Sequence, residues 1–350
     1  MVGAHVTDAW TRLDDRSRTL YMYVVFIAGM ASPLFLFLAG LTIAMAASAR
    51  AVKVGHAAAA ALARKRGLQI FALAFLFRLQ SQLLGWGAFT NFLKVDILNV
   101  MGIAMIAAAV LWSLSATRPV RIAVFALATI AVAMATPLVR EASILAGLPD
   151  AIEAYIRPLP GRTNFALFPW AGFLFAGCIA GEFVFAAQGE WRERRLQAGL
   201  LVTGLAGIAL GYAASLRPSI YPMANFWASS PTFFFLRLGI CTAMVPLAFG
   251  VDHFHAFLRR RFAIGAGTTD VPGRVITTLG RSSLFVYWIH VEMAYGGIAK
   301  PLKRALPLEW SLAATVALCA LLYAIVKWKD RKMAGRELSG VWRIFAPVLR

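Results

Sequence analysis

The sequence predicts an all-α fold: a polytopic transmembrane helix bundle with about nine spanning helices present, and ten in the full design. Three observations carry that expectation. Nine long apolar runs fill most of the 350 residues. Hydrophobic residues make up 60% of the chain, and mean hydropathy is +0.70. The short loops between the runs alternate between strongly basic and weakly charged. A bilayer core takes about 20 mostly apolar residues per helix, and few soluble folds offer that length repeatedly. No polar stretch is long enough for a separate soluble core, so residues 1–350 read as a single integral-membrane domain.

The chain opens on Met1 to Ala4, a short apolar scrap, followed by His5 and a polar stretch to Thr19. It has no basic n-region and no cleavage site, so it does not read as a signal peptide. It reads instead as the tail of a helix that begins upstream, leading into an outer segment over 1–19. The next run predicts a helix over 20–48, and the loop at 49–66 then carries Arg50, Lys53, Arg64, Lys65 and Arg66. Helices over 67–87, 97–116 and 119–139 follow, with Arg118 and Arg121 in the tight turn near 117–121. Residues 140–164 are rich in Pro and Gly and form the largest outer loop, suited to a short interfacial helix or lid. Helices over 165–187 and 196–216 flank a turn with Arg192, Arg194 and Arg195. Runs over 231–251, 281–299 and 308–327 complete the set, separated by a 252–280 loop with Arg259, Arg260, Arg261 and Arg274. The tail over 328–350 is basic again. If every helix crosses once, these basic segments share one side, which the positive-inside rule makes cytoplasmic. The first residues then lie outside and the C-terminus inside, in a cell inner (plasma) membrane. The absence of an N-linked glycosylation sequon is consistent with a bacterial source.

Net charge is +19. In a soluble protein that balance would suggest nucleic acid. Here the charge sits in loops between apolar runs, so it orients the chain in the lipid bilayer and argues against a nucleic-acid partner. Cys178, Cys241 and Cys319 lie inside apolar runs, fit no zinc or disulfide pattern, and read as small buried hydrophobes. His253 and His255 have no third ligand nearby, so no metal site is expected. The GAGTTD string near Gly265 lacks the preceding strand and the lysine of a phosphate loop.

The chemistry must come from polar groups inside apolar runs, because each is costly there unless paired or wetted. Arg78, Gln80 and Gln82 lie in FLFRLQSQLL. Arg78 either snorkels to the outer interface or lines a wet cavity as a cation for an anionic group. Asp96 and Asn99 sit at the outer start of the next helix, where Asp96 either caps the helix or orients Arg78 or a histidine. Glu182 lies nearer an inner helix end, within reach of a cytoplasmic arginine, and Arg237 is a further intramembrane cation. His290 falls near mid-helix with Glu292 two residues on; that spacing sends the two side chains to different neighbours. His5, ahead of Asp8 and Trp10, is suited to a general base or an acyl acceptor at the membrane edge.

Five strings taken in order resemble the heparan-α-glucosaminide N-acetyltransferase catalytic-domain family, and more distantly the integral-membrane acyltransferase family 3. They are MVGAHVTDAW, ASPLFLFLAGLTIAMAASAR, VDILNVMGIAMI, FPWAGFLFAGCIAG and LGRSSLFVYWIHVEM. The last is similar to the family's late Asn-Ser, Tyr-Gly-His string, with Ser282 at the Asn position, Ile289 at the Gly position, and His290 carried over. His5 best matches the family's functional histidine, although the Arg-Gly signature of the first helix is missing. The resemblance implies transfer of an acyl group, usually acetyl, from acyl-CoA as donor substrate to a hydroxyl or amine of a glycan or other small acceptor. No permanently bound cofactor is implied. On that reading His5, His290 and Asp96 are catalytic, and Arg78, Gln82, Asn99, Arg237 and Trp170 contact substrate. A homodimer is compatible with such a shape, though no motif argues for one. The competing readings are a transporter or flippase for a small anion or lipid-linked glycan, and an inactive truncated homologue; no inverted repeat supports the transporter.

Overall fold

A computed structural model describes residues 1–85, 92–261 and 271–333. Residues 88–91 of the expected outer segment 88–96, the Gly265 string and the tail from 334 lie outside the described residues, as do the side chains of His255 and Arg259 to Arg261. Among the described residues, thirteen α-helices run in the order α1 (Val2–Trp10), α2 (Thr19–Gly29), α3 (Ala31–Val54), α4 (His56–Gly85), α5 (Ile97–Ser113), α6 (Arg118–Glu141), α7 (Asp150–Ile156), α8 (Leu167–Ala186), α9 (Glu190–Ser215), α10 (Pro231–Arg261), α11 (Val271–Arg281), α12 (Ser283–Tyr295) and α13 (Leu308–Met333). Among the described residues there is no strand, only the isolated bridges Thr11–Leu306 and Val95–Thr163. The chain is an all-α, multi-pass membrane protein.

Among the described residues, six segments are long and apolar enough to cross a membrane: Thr19–Val54, Arg118–Glu141, Leu167–Ala186, Glu190–Ser215, Pro231–Phe254 and Leu308–Met333. The other three expected crossings form helices that differ from a simple span. The 97–116 run stops at Ser113, ahead of the turn over 114–117. The 281–299 run yields only the 13 residues of α12, because Gly296 is extended and a 3-10 turn follows. The 67–87 run belongs to the 30-residue α4, which starts eleven residues early and carries Arg64, Lys65 and Arg66 with it. The expected loop at 49–66 is therefore mostly helix. Ala, Arg and Lys all favour helix, and only Gly55, at φ 83°, breaks it. The expected 20–48 helix is divided at Met30 into α2 and α3. The 140–164 loop does hold a short helix, α7.

The contacts divide the chain into two compact units: residues 1–31, 77–89 and 252–350 form the first, and residues 32–76 and 90–251 the second. In the first unit α1 packs on α12 and α13. Val6, Ala9 and Trp10 are buried against Ala299, Leu318 and Leu322. Backbone bonds reinforce the contact. Arg304 N–H donates to Ala9 O (3.0 Å), Leu306 N–H to Trp10 O (2.9 Å) and Arg12 N–H to Leu306 O (2.8 Å). Asp15 adds a side-chain tie, accepting from Leu308 N–H at 2.9 Å and pairing with Arg12 at 3.0 Å.

The second unit is built on close backbone approach. Small residues let membrane helices touch where lipid offers no hydrophobic drive. A Cβ at Gly40 of α3 would overlap the Leu174 carbonyl, and one at Gly177 of α8 would overlap that of Phe37. One knot of charge lies inside this packing. Glu182 is fully buried and accepts from Arg121 Nε (3.0 Å) and Nη2 (2.8 Å), Trp112 Nε1 (2.7 Å) and Ser48 Oγ (3.1 Å). The remaining Arg121 nitrogen donates to Ala116 O at 2.6 Å, closing the α5–α6 turn. His56 stacks on Trp112 with ring centroids 4.3 Å apart. Glu182 thus finds the arginine partner its position in the sequence suggests.

Two predictions follow from these ties. Glu182→Ala leaves Arg121 buried without its carboxylate and is expected to cost about 3–5 kcal/mol. The double change Arg121→Met with Glu182→Leu costs less, as read by thermal unfolding in detergent; a double change worse than the single one would refute this account. For Asp15, the Leu308 N–H and then Arg12 hold the carboxyl below its ordinary value. Its stabilisation is present above an unfolded pKa of about 4 and is lost as pH falls through the depressed folded value. Asp15→Asn is expected to flatten the acid limb of a stability-versus-pH curve.

Candidate functional site

The first unit brings two histidines together. His5 and Asp8 are three residues apart on α1 and so share a helix face. That face meets α12, whose His290 ring lies 5.1 Å from the His5 ring, centroid to centroid. Tyr295, at the end of α12, donates its hydroxyl hydrogen to Asp8 Oδ2 at 2.7 Å. A phenol has one hydrogen, so the 3.3 Å contact with His5 Nδ1 is donated by the imidazole. His5 is thereby held as the Nδ1–H tautomer, with its lone pair on Nε2. Arg16 braces the same group: it donates to the Asp8 carbonyl and lies 3.9 Å from its carboxylate.

His290 is fixed differently. Its Nδ1 lies 2.6 Å from the Val286 carbonyl, which can only accept, so this ring is also the Nδ1–H tautomer. Its Nε2 is buried and has no hydrogen-bond partner among the described residues. A buried, unpartnered nitrogen with a lone pair is unusual and costs free energy unless something fills the gap. Tyr287 packs edge-on to the ring at 5.7 Å.

The end of α4 adds polar groups to α12. Trp288 donates its indole N–H to Gln80, and Phe77 packs on Trp288 and Tyr287 at 5.4 Å and 5.8 Å. Ser81 hydrogen-bonds the Glu292 carboxylate, which also feels the charge of Arg78. His290 and Glu292 therefore do face different neighbours. Gln82 Oε1 is buried with no partner among the described residues.

The other expected site residues belong to the second unit. Asp96 caps α5 by accepting from Ile97 N–H at 2.7 Å, and its own N–H donates to Asn99 Oδ1 at 3.1 Å, a capping box. Asn99 also donates to the Tyr155 hydroxyl at 3.3 Å. Trp170 joins the cluster around Val95, Val100 and Ala154, edge-on to Phe165 at 4.8 Å. Arg237 lies over the Phe233 ring at 4.0 Å, and its buried Nε has no hydrogen-bond partner among the described residues. The structure thus groups His5 with His290, and places Arg78 and Gln82 on an element that also meets α12. Asp96 and Asn99 form a local pair with Trp170 in an adjoining cluster. Sequence reasoning missed Asp8 and Tyr295 as partners of His5. Asp8 carried a signal, the helical spacing of three; Tyr295 is 287 residues from Asp8 and carried none.

The family model described as heparan-alpha-glucosaminide N-acetyltransferase, catalytic, matches residues 1–212. That span holds His5, Asp8, Arg78, Gln82, Asp96, Asn99 and Trp170, while Arg237, His290 and Tyr295 lie beyond it. No curated protein matches the chain.

Tyr295→Phe removes the hydrogen bonds of the phenol to Asp8 and to His5 Nδ1, and so loosens the hold on the His5 tautomer. Histidine nitrogen NMR in detergent is expected to show His5 moving from a single Nδ1–H tautomer to a mixture, at about 1 kcal/mol of stability. An unchanged His5 spectrum would mean the relay does not set the tautomer.

Proposed function

From the membership of this chain in the heparan-alpha-glucosaminide N-acetyltransferase catalytic family, we propose that it is an integral-membrane acyltransferase moving an acetyl group from cytosolic acetyl-CoA to a hydroxyl or amine of a glycan-like acceptor. The observation that carries the reading is the His5–His290 pair, two imidazoles with rings 5.1 Å apart and lone pairs on their Nε2 atoms.

In this mechanism His5 is the general base. The acceptor O–H or N–H gives its proton to His5 Nε2 while its oxygen or nitrogen attacks the thioester carbonyl carbon. The imidazolium that forms is favoured by the Asp8 carboxylate, relayed through Tyr295. The tetrahedral oxyanion then collapses, the C–S bond breaks, and the CoA thiolate takes the proton. His290 has only a neutral carbonyl behind it, which suits a ring that stays uncharged and holds the acceptor through Nε2. Arg78 and Gln82 are proposed as donors to the oxyanion. Within the second unit, Asn99, Trp170 and Arg237 are proposed to bind substrate, and Asp96, expected to be catalytic, is proposed instead to position Asn99 through the capping box. The basic loops are proposed to face the cytosol of a bacterial inner membrane, where they concentrate the polyanionic donor.

The test is purified protein with radiolabelled acetyl-CoA and sugar acceptors. Label transfer is expected, and His5→Ala and His290→Ala are each expected to lower it about 10²–10⁴-fold without loss of fold. Uptake of an unmodified solute with no acetyl turnover would favour a transporter instead. No turnover and no uptake would favour an inactive homologue.

A further inference from the structure

In the second unit, the end of α8 and the first turns of α9 line a groove of about 540 Å³. Its floor is apolar, with Phe183, Leu196 and Leu200, and its rim is Trp191 with Arg192 and Arg195. Trp191 is 70% exposed, and Phe183 is 43% exposed at the end of a membrane-spanning helix. The Arg195 guanidinium lies over the Trp191 ring at 5.3 Å. Glu190 does not neutralise the rim, because it is taken up by Arg194 at 2.7 Å, and Glu193 does not line the groove. A side chain added at Gly199, inside the groove, would meet no atom within 4 Å.

We propose that this groove holds an anionic phospholipid, its phosphate on Arg192 and Arg195 and one acyl chain along Phe183, Leu196 and Leu200. Charge and polarity are arranged as that ligand requires. Two guanidiniums sit at the end of the apolar channel where an interfacial tryptophan marks headgroup depth. A soluble anion would need the cations and leave the channel empty; a neutral lipid would fill the channel and leave the cations without a partner. Neither α8 nor α9 supplies a carboxylate that lines the groove.

The full-length protein in detergent is titrated with phosphatidylglycerol, phosphatidylcholine and glycerophosphoglycerol, with bound lipid read by native mass spectrometry. Phosphatidylglycerol is expected to bind best. Arg192→Gln with Arg195→Gln weakens it about thirtyfold, at roughly a factor of five per arginine. The same pair changed to Lys retains most of the binding. Gly199→Leu fills the channel without touching the charges and is expected to weaken phosphatidylglycerol as well, in protein that elutes as wild type. The proposal is overturned if phosphatidylcholine binds equally, if glycerophosphoglycerol matches the whole lipid, or if neither variant changes phosphatidylglycerol binding.

Discussion

The His5–His290 pair exists because α1 is clamped to the α12–α13 connection. Here three backbone hydrogen bonds, from Arg12, Arg304 and Leu306, stitch the end of α1 to the chain after α12. Trp10 adds a fourth tie, its indole N–H donating to Ala294 O at 2.9 Å, one residue before Tyr295. These bonds fix the register of α1 against α12. Were α1 rotated by one residue, about 100°, His5 and Asp8 would leave α12 together. The apolar contacts of Val6 and Trp10 drive the packing, and the hydrogen bonds decide which face is presented.

The two units handle carboxylates in opposite ways. Glu182 has four donors within 3.1 Å and no exposed surface. A group so fully satisfied is a fastener, and its loss strands a buried cation. Asp8 is largely exposed and meets His5 through a phenol. That arrangement leaves it able to respond to a charge forming on the imidazole. The contrast separates a structural ion pair from the group proposed to act in chemistry. Position in an apolar run marked only the first.

Much of the fold was legible because membrane helices obey a simple demand: every backbone polar group must be satisfied within the segment. Long apolar runs therefore located the helices. Their ends were less legible, since nothing in hydropathy stops a helix at the bilayer edge. The alanine-rich start of α4 carries helix through residues that read as a basic loop, and α9 starts six residues ahead of its expected bound for a similar reason, with Glu190 and Arg194 paired one turn apart. The site was legible in part. His5 and His290 stood out as polar groups in apolar surroundings, and Asp96 and Asn99 as a helix start.

By itself, the sequence determined the class of the protein, where most of the long apolar segments lie, and the residues that lipid would not tolerate unpaired. These follow from composition and local spacing. Only the tertiary structure decided that Asp8 and Tyr295 hold His5, that His290 keeps a buried nitrogen open beside it, and that Arg192 and Arg195 stand over an apolar channel. Each of those joins residues on different helices, some of them nearly the whole chain apart. A one-dimensional pattern does not record which faces of two helices meet; that is fixed by packing and by the hydrogen bonds that set register.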